Sequence, residues 1–396
     1  MSQAAEPIVI AGAGIGGLAA ALCVARAGRR VAVLERAAKI EEVGAGLQIA
    51  PNAGRILQSL GLGPDLERAA LRPEAINILR ARDGATLARI DLGGAEERWG
   101  APFRLFHRAD LQGLLLAAAE RTEALDIRAN ARVGDFEEAE GAVYLRVQGA
   151  SGFEDMEAAG LVGADGVRSS VRSTLIADKA DAPAYSGHTA WRALIDPTEA
   201  PAELREREVF LWLGRRGHVV HYPLRDASII NAVVVVEDGG RIAPEGPPTL
   251  SGAEVAGQLE TRPAPPLREL IEAGPSWRRW PLYGRPPLNH WSRGAVTLLG
   301  DAAHPMLPFL AQGAAQAIED AEALGRALAT GAAPGDAFRA YEQARLARAT
   351  RVQHASRRQA FYDHAGAPLD LLRDLAIRAL GRERILARNK WIYEHR

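Results

Sequence analysis

Apolar and polar residues follow different periods along this chain, and each period predicts a different element. IVIA, Ile8 to Ala11, is apolar throughout, as a strand buried on both faces is. Glycines break it, and LAAALCVARAG then predicts a helix of small residues that stops at Gly28, a C-cap position. RRVAVLE predicts a second strand, so Ile8 to Ala37 reads as one strand–helix–strand unit of ~30 residues. INILRARDGATLARIDL, Ile76 to Leu92, predicts a hairpin with Asp83-Gly84 at its turn. HRADLQGLLLAAAERT, from His107, predicts a helix with Asp110 as its N-cap. From about Ala182 to Pro287 the runs lengthen and become β-rich, as in REVFLWL, GHVVHYPL and SIINAVVVVED. AVTLL, Ala295 to Leu299, predicts a buried strand that delivers GDAAHPMLPF to its end, and helical periodicity follows. The pattern predicts an α/β fold with an inserted, mainly antiparallel sheet domain and C-terminal helices.

Composition removes several alternatives. The chain has 396 residues, 47% hydrophobic, enough for a sizeable core and two or three domains. Its 48 basic and 49 acidic residues give a net charge of −1 with no basic block, which argues against nucleic acid as the main partner. Cys23 is the only cysteine, so an internal disulfide, a Cys-x-x-Cys pair and a cysteine zinc site are excluded, and a cytoplasmic setting fits. The apolar stretch Ile8 to Ala25 lacks a basic n-region and is rich in glycine, so it reads as strand, turn and helix and not as an export signal or membrane span.

The first chemistry lies in that stretch. Gly12-x-Gly14-x-x-Gly17 falls between strand and helix. Gly12 permits the tight turn, Gly14 admits the backbone to a pyrophosphate, and Gly17 lets helix and strand pack closely. Phosphates then meet free amides at a helix N-terminus. Glu35 follows Gly17 by 18 residues, close to the ~20 expected for the acid on a ribose. The motif alone does not choose between FAD and NAD.

Three stretches taken together do choose. The opening unit, LVGADGVRSSVR (Leu161 to Arg172) and GDAAHP with GAAQAIEDA (Gly313 to Ala321) resemble the three fingerprints of the single-component flavoprotein aromatic hydroxylases. AWRALI, WSRGAVTLLGDAAHP and the C-terminal WIY extend the resemblance over nearly the whole chain, nearest to the salicylate, 3-hydroxybenzoate and 6-hydroxynicotinate hydroxylases. The resemblance implies a Rossmann-like FAD-binding domain of residues 1–75, 93–180 and 288–360. It implies a substrate domain of 76–92 and 181–287, and a C-terminal helical segment of 361–396. It implies non-covalent FAD, NADH or NADPH as a transient co-substrate, and hydroxylation of a small aromatic acid or N-heterocycle with O2 through a flavin hydroperoxide. A monomer or homodimer is expected, with no membrane span and no metal.

Residue by residue, the resemblance places Gly12, Gly14, Gly17, Glu35 and Arg36 on the ADP half of FAD. It runs Val43 to Leu47 along the isoalloxazine with Ala45 in contact, Arg108 at the phosphates and ribityl chain, and Val133 at the adenine. Asp165 belongs to the motif linked to both FAD and NAD(P)H, Asp301 to the ribityl hydroxyls, and Gly313 and Ala314 to the flavin carbonyls. Where the 3-hydroxybenzoate enzymes carry a polar glutamine, this chain has Leu307, Pro308 and Phe309.

Among nine histidines, His218 and His221 stand three apart on a predicted strand, so they face opposite sides and share no metal. The resemblance makes His221 the catalytic histidine. His304 is expected to be structural, and Trp277, Trp280 and Trp291 to be core. Two other readings remain: a flavin dehydrogenase or oxidase without oxygen insertion, and a non-catalytic FAD-binding protein.

Overall fold

The structure is a computed structural model and describes residues 6–40, 45–239 and 248–395. Two sheets carry the expected α/β fold. The first has six strands in the order Ser292–Arg293, Val296–Leu298, Gly160–Gly163, Ile8–Ala11, Val31–Leu34 and Leu125–Arg128, parallel except for the Ser292–Arg293 edge. Its central strands are buried on both faces, which is why they read as unbroken apolar runs. Helix Ile15–Arg26 covers one side, and Gly28, at φ +80°, turns the chain after it.

The second sheet has eight strands in the order Thr249–Leu250, Trp277–Gly284, Ala184–Ile195, Ile229–Glu237, Gly217–Leu224, Val209–Leu213, Ala75–Arg80 and Thr86–Asp91. It is antiparallel except where Val209–Leu213 runs parallel to Ala75–Arg80. One face buries Trp191, Phe210, Trp212 and Val219 under helices Gly252–Gln258 and Pro265–Glu272, and Trp277 lies with them. Each such side chain contributes roughly 1.5–3 kcal/mol on leaving water. The other face looks into the space between the two sheets.

Helix Pro334–Asp363 runs along the parallel-sheet layer, and the residue after it, His364, reaches His218 of the second sheet. Its Glu342 accepts from the backbone N–H groups of Trp291 (2.6 Å) and Ser292 (2.7 Å), and its Gln353 donates to the carbonyl of Pro305 (2.8 Å). Its buried Arg345 donates to Asp320 (2.8 Å) and Glu319 (2.5 Å) of helix Gly313–Ala329. Helix Leu369–Arg388 then packs Ile377 and Leu386 against Leu87 and Ile90.

Two local expectations are corrected. Helix Arg108–Glu120 starts with His107 at its N-cap, and Asp110 sits in its first turn, held by Arg225 at 2.7 Å. Trp277 and Trp291 are buried, but Trp280 is 49% exposed and lies under the Arg192 guanidinium, 5.3 Å from its ring centre.

Candidate active site

A cavity of 1460 Å3 lies between the sheets. On the parallel-sheet side Gly12, Gly14, Glu35, Arg36, Arg108, Val133, Asp165, Asp301, Gly313 and Ala314 all line it. Ten of the thirteen residues singled out in the sequence therefore converge on one space.

The glycine turn explains its own composition. Gly12 has φ +109°, and a Cβ on it would stand 2.6 Å from the Ala164 carbonyl oxygen. A Cβ on Gly17 would stand 2.0 Å from the Gly12 carbonyl oxygen. Gly17 thus packs helix against strand and does not line the cavity. Gly14 is the N-cap of helix Ile15–Arg26 and offers no side-chain cap, which leaves the first amides for a ligand. Glu35 accepts from Ala13 (2.9 Å) and Ala37 (2.8 Å) and so stands fixed at the strand end.

Asp165 braces the start of helix Ser170–Ile176 through Oδ2, which accepts from the Ser170 amide at 2.7 Å, while its Oδ1 is buried without a protein partner. Ala45 is buried, and its carbonyl accepts from the Arg108 amide at 2.9 Å. It does not line the cavity; Gly46, Leu47 and Gln48 do. Val43 lies outside the described residues. A diphosphate and sugar fit this cradle: close backbone, free helix amides, a fixed acid and an orphaned carboxylate oxygen.

The GDAAHP turn is held from behind. Asp320 accepts from the Gly300 amide (3.0 Å) and pairs with His304 (2.5 Å). Burial works against its ionisation, but His304 and Arg345 outweigh it and bring the carboxyl to about 2. Arg172 donates to the carbonyls of Ala302 (3.0 Å) and Ala303 (2.9 Å) and pairs with Asp181, which also holds Arg285 at 2.9 Å. These anchors aim Asp301 into the cavity and leave His304 structural. Gly313 and Ala314 open helix Gly313–Ala329, so its amides also face the space.

The opposite wall overturns one assignment. On strand Gly217–Leu224 the cavity meets His218, Val220 and Tyr222. His221 projects to the other face, fully buried, stacked on Phe210 at 4.5 Å and accepting from the Trp212 indole at 3.2 Å. It cannot touch a ligand in the cavity. Burial holds its pKa down at about 3, so it is a neutral core histidine. His218 sits at the same wall as Tyr222 and Arg192, with Val233 and Val235 between them. Burial lowers His218 to about 3 and raises Tyr222 above its ordinary value. Strand Gly46–Ile49 locks onto this wall at its first residue, since the Gly46 amide donates to Asn231 at 2.7 Å. His218, Tyr222 and Arg192 were not singled out from the sequence as site residues. Alternation puts His218 and Tyr222 on one face, but only strand pairing tells which face is wet.

Comparison with known proteins adds the chemistry. The FAD binding domain family model matches residues 6–356. The chain is 40% identical over 351 residues to 3-hydroxybenzoate 6-hydroxylase 1 of Aquipseudomonas alcaligenes, covering 88% of this chain and 87% of that protein. It is 40% identical over 374 residues to a 3-amino-4-hydroxybenzoate 2-monooxygenase of Streptomyces platensis, covering 93% and 91%. A salicylate hydroxylase solved as its substrate complex shares the fold at TM-score 0.82 and 24% identity, over 100% of this chain and 97% of that one. Fold, cradle and relatives agree: the chain belongs to the FAD binding domain family, and is an FAD-dependent aromatic-ring monooxygenase that draws its electrons from NAD(P)H.

Proposed function

We propose that this enzyme hydroxylates a small aromatic acid carrying a ring hydroxyl or amino group. The carrying observation is the cavity wall itself, where Arg192, His218 and Tyr222 stand among apolar residues on one face of the eight-stranded sheet. Bound FAD would take two electrons from NAD(P)H and activate O2, one atom of which enters the ring while the other leaves as water.

The chain's own residues do the rest. Gly12, Gly14, Glu35, Arg36, Arg108, Val133, Asp165, Asp301, Gly313 and Ala314 hold the cofactor. Ile76, Ile78, Leu211, Val220 and Val233 give an apolar seat that excludes water. Arg192 is the cation for a substrate carboxylate, although burial lowers its pKa and favours a bound anion beside it. His218 takes over the role first assigned to His221: a neutral imidazole that orients the ring hydroxyl and relays its proton. Tyr222, held protonated by burial, is a fixed donor beside it.

NAD(P)H visits and leaves, because only one glycine fingerprint has the strand–helix context. The division into a flavin unit (1–75, 93–180 and 288–360), a substrate unit (76–92 and 181–287) and a C-terminal helical segment (361–396) belongs to the same reading and is supported by the strands each contributes. Cytoplasmic placement is supported by the single, buried Cys23, and a monomer or homodimer is proposed with it. No helix among the described residues is long and apolar enough to cross a membrane.

The test is a panel of hydroxybenzoates, aminohydroxybenzoates and hydroxypyridines, scored for stimulated NAD(P)H oxidation and for hydroxylated product. Stimulation with product is expected for an aromatic acid. Peroxide alone across the panel would favour an oxidase, and no stimulation at all would favour a non-catalytic flavoprotein.

A further inference from the structure

His188 and Glu237 face each other across the pairing of strands Ala184–Ile195 and Ile229–Glu237. His364, the residue after helix Pro334–Asp363, reaches the same spot from the other layer. One ligand atom from each of the three lies within 4.8 Å of the other two. A tetrahedral zinc ion with bonds of about 2.0–2.1 Å spaces its ligands about 3.3 Å apart, so a modest swing of the half-exposed Glu237 closes the set.

A second observation points to a ligand independently of that spacing. His364 is 5% exposed and its Nε2 is occupied by His218 Nδ1 at 2.8 Å, but its Nδ1 is buried with no hydrogen-bond partner. Buried polar nitrogens are seldom left so. His188 uses Nδ1 toward the Ser186 carbonyl at 3.1 Å, which leaves its Nε2.

We propose that His188, Glu237 and His364 form a binding site for a divalent transition-metal ion of the zinc class, with water as the fourth ligand. Two nitrogens and one carboxylate oxygen suit that class and not calcium or magnesium, which prefer all-oxygen shells. The neighbouring charges bound the affinity. Arg216 stands 3.8 Å from the Glu237 carboxylate and Arg373 is near His364, and both oppose a cation, while Asp238 beside Glu237 favours it. No local spacing in the sequence announces the site, because its ligands come from three distant segments. An ion here would fasten the end of the long helix to the substrate sheet, next to His218.

The experiment uses tag-free holoenzyme, freed of metal by dialysis against a chelator and titrated with Zn2+ by calorimetry, with thermal unfolding read in parallel. One Zn2+ per chain is expected, with a rise in Tm that follows saturation. His188→Ala and Glu237→Gln each weaken binding at least ~10-fold and abolish the Tm rise. Both positions are only half-buried, and retained flavin absorbance shows that each variant is folded. His354→Ala, on the exposed side of the helix, keeps binding intact. Absence of saturable binding overturns the proposal, as does binding that survives both ligand variants or is lost in His354→Ala.

Discussion

His218 and His221 lie three residues apart on one strand and turn their rings to opposite faces of the sheet, His218 to the cavity and His221 to the core against Phe210. If His218 takes the role proposed for it, the separation divides chemistry from stability. His218→Ala is expected to keep FAD and to lose hydroxylation by ~10²–10⁴-fold, with NADH or NADPH oxidation uncoupled toward peroxide. His221→Ala is expected to lower Tm and to leave the coupling of the surviving folded enzyme near wild type. Product formed per NAD(P)H consumed, measured for both, decides between them; the reverse pattern returns the role to His221.

His221 also sets part of the acid sensitivity. Its folded value of about 3 lies below the ordinary 6.5, so the unfolded chain binds one more proton between those pH values. Its contribution is fully present above pH 6.5 and is lost as pH falls toward 3, at about 1.4 kcal/mol per pH unit. Urea unfolding of wild type and His221→Phe at pH 7, 6 and 5 should show a shallower fall in the variant. Parallel curves would mean that the ring titrates in the fold as it does in the unfolded chain.

Gly17→Ala places a methyl 2.0 Å from the Gly12 carbonyl oxygen, where backbone cannot yield cheaply. A loss of at least ~3 kcal/mol and a protein that purifies without flavin are expected. Gly113→Ala, on the exposed face of helix Arg108–Glu120 with open space around it, should instead gain ~0.5–1 kcal/mol. Flavin absorbance and Tm of the pair check both signs.

Arg345→Met strips the buried Glu319 and Asp320 of a shared cation. Removing one partner of a buried charge set costs ~3–5 kcal/mol. Chemical denaturation should show that loss, and Glu319→Gln added to the same chain should return part of it. A drop under 1 kcal/mol would mean that His304 and Arg348 suffice to hold the two carboxylates.

Arg192→Ala tests the carboxylate seat. KM for an aromatic acid should rise ~10–100-fold, the worth of a charge-assisted hydrogen bond. The corresponding phenol without a carboxylate should show no such penalty, and steady-state kinetics on the two ligands separates recognition from collapse of the wall.

Much of this site is legible in the sequence where one local stretch does one job. The phosphate cradle is such a case, because Gly12, Gly14, Gly17 and Glu35 sit on a single strand–helix–strand unit whose geometry follows from spacing. Asp301 and Gly313 are legible for the same reason, as ends of a buried strand and a helix. The substrate wall is not, because it is made by register. His218 meets Val235, and Arg192 meets Val233, only once three strands are paired. His221 has the same composition around it as His218, and nothing within eight residues distinguishes the wet face from the dry one. Trp280 misleads similarly, since its neighbour Trp277 is core and it is not.

The helix Pro334–Asp363 is a beam about 45 Å long. It is pinned at Glu342 to the edge of the parallel sheet, at Arg345 to its neighbouring helix, and at Gln353 and Ser356 to the Pro305 and Leu307 carbonyls. Those stations hold the parallel sheet, its neighbouring helix and the loop of Pro305 and Leu307, and the residue after the beam, His364, meets His218 of the wall at 2.8 Å and accepts from the Arg216 amide at 3.1 Å. Floor and ceiling are therefore hinged together at the beam's far tip, beside the residue proposed to handle the substrate's proton.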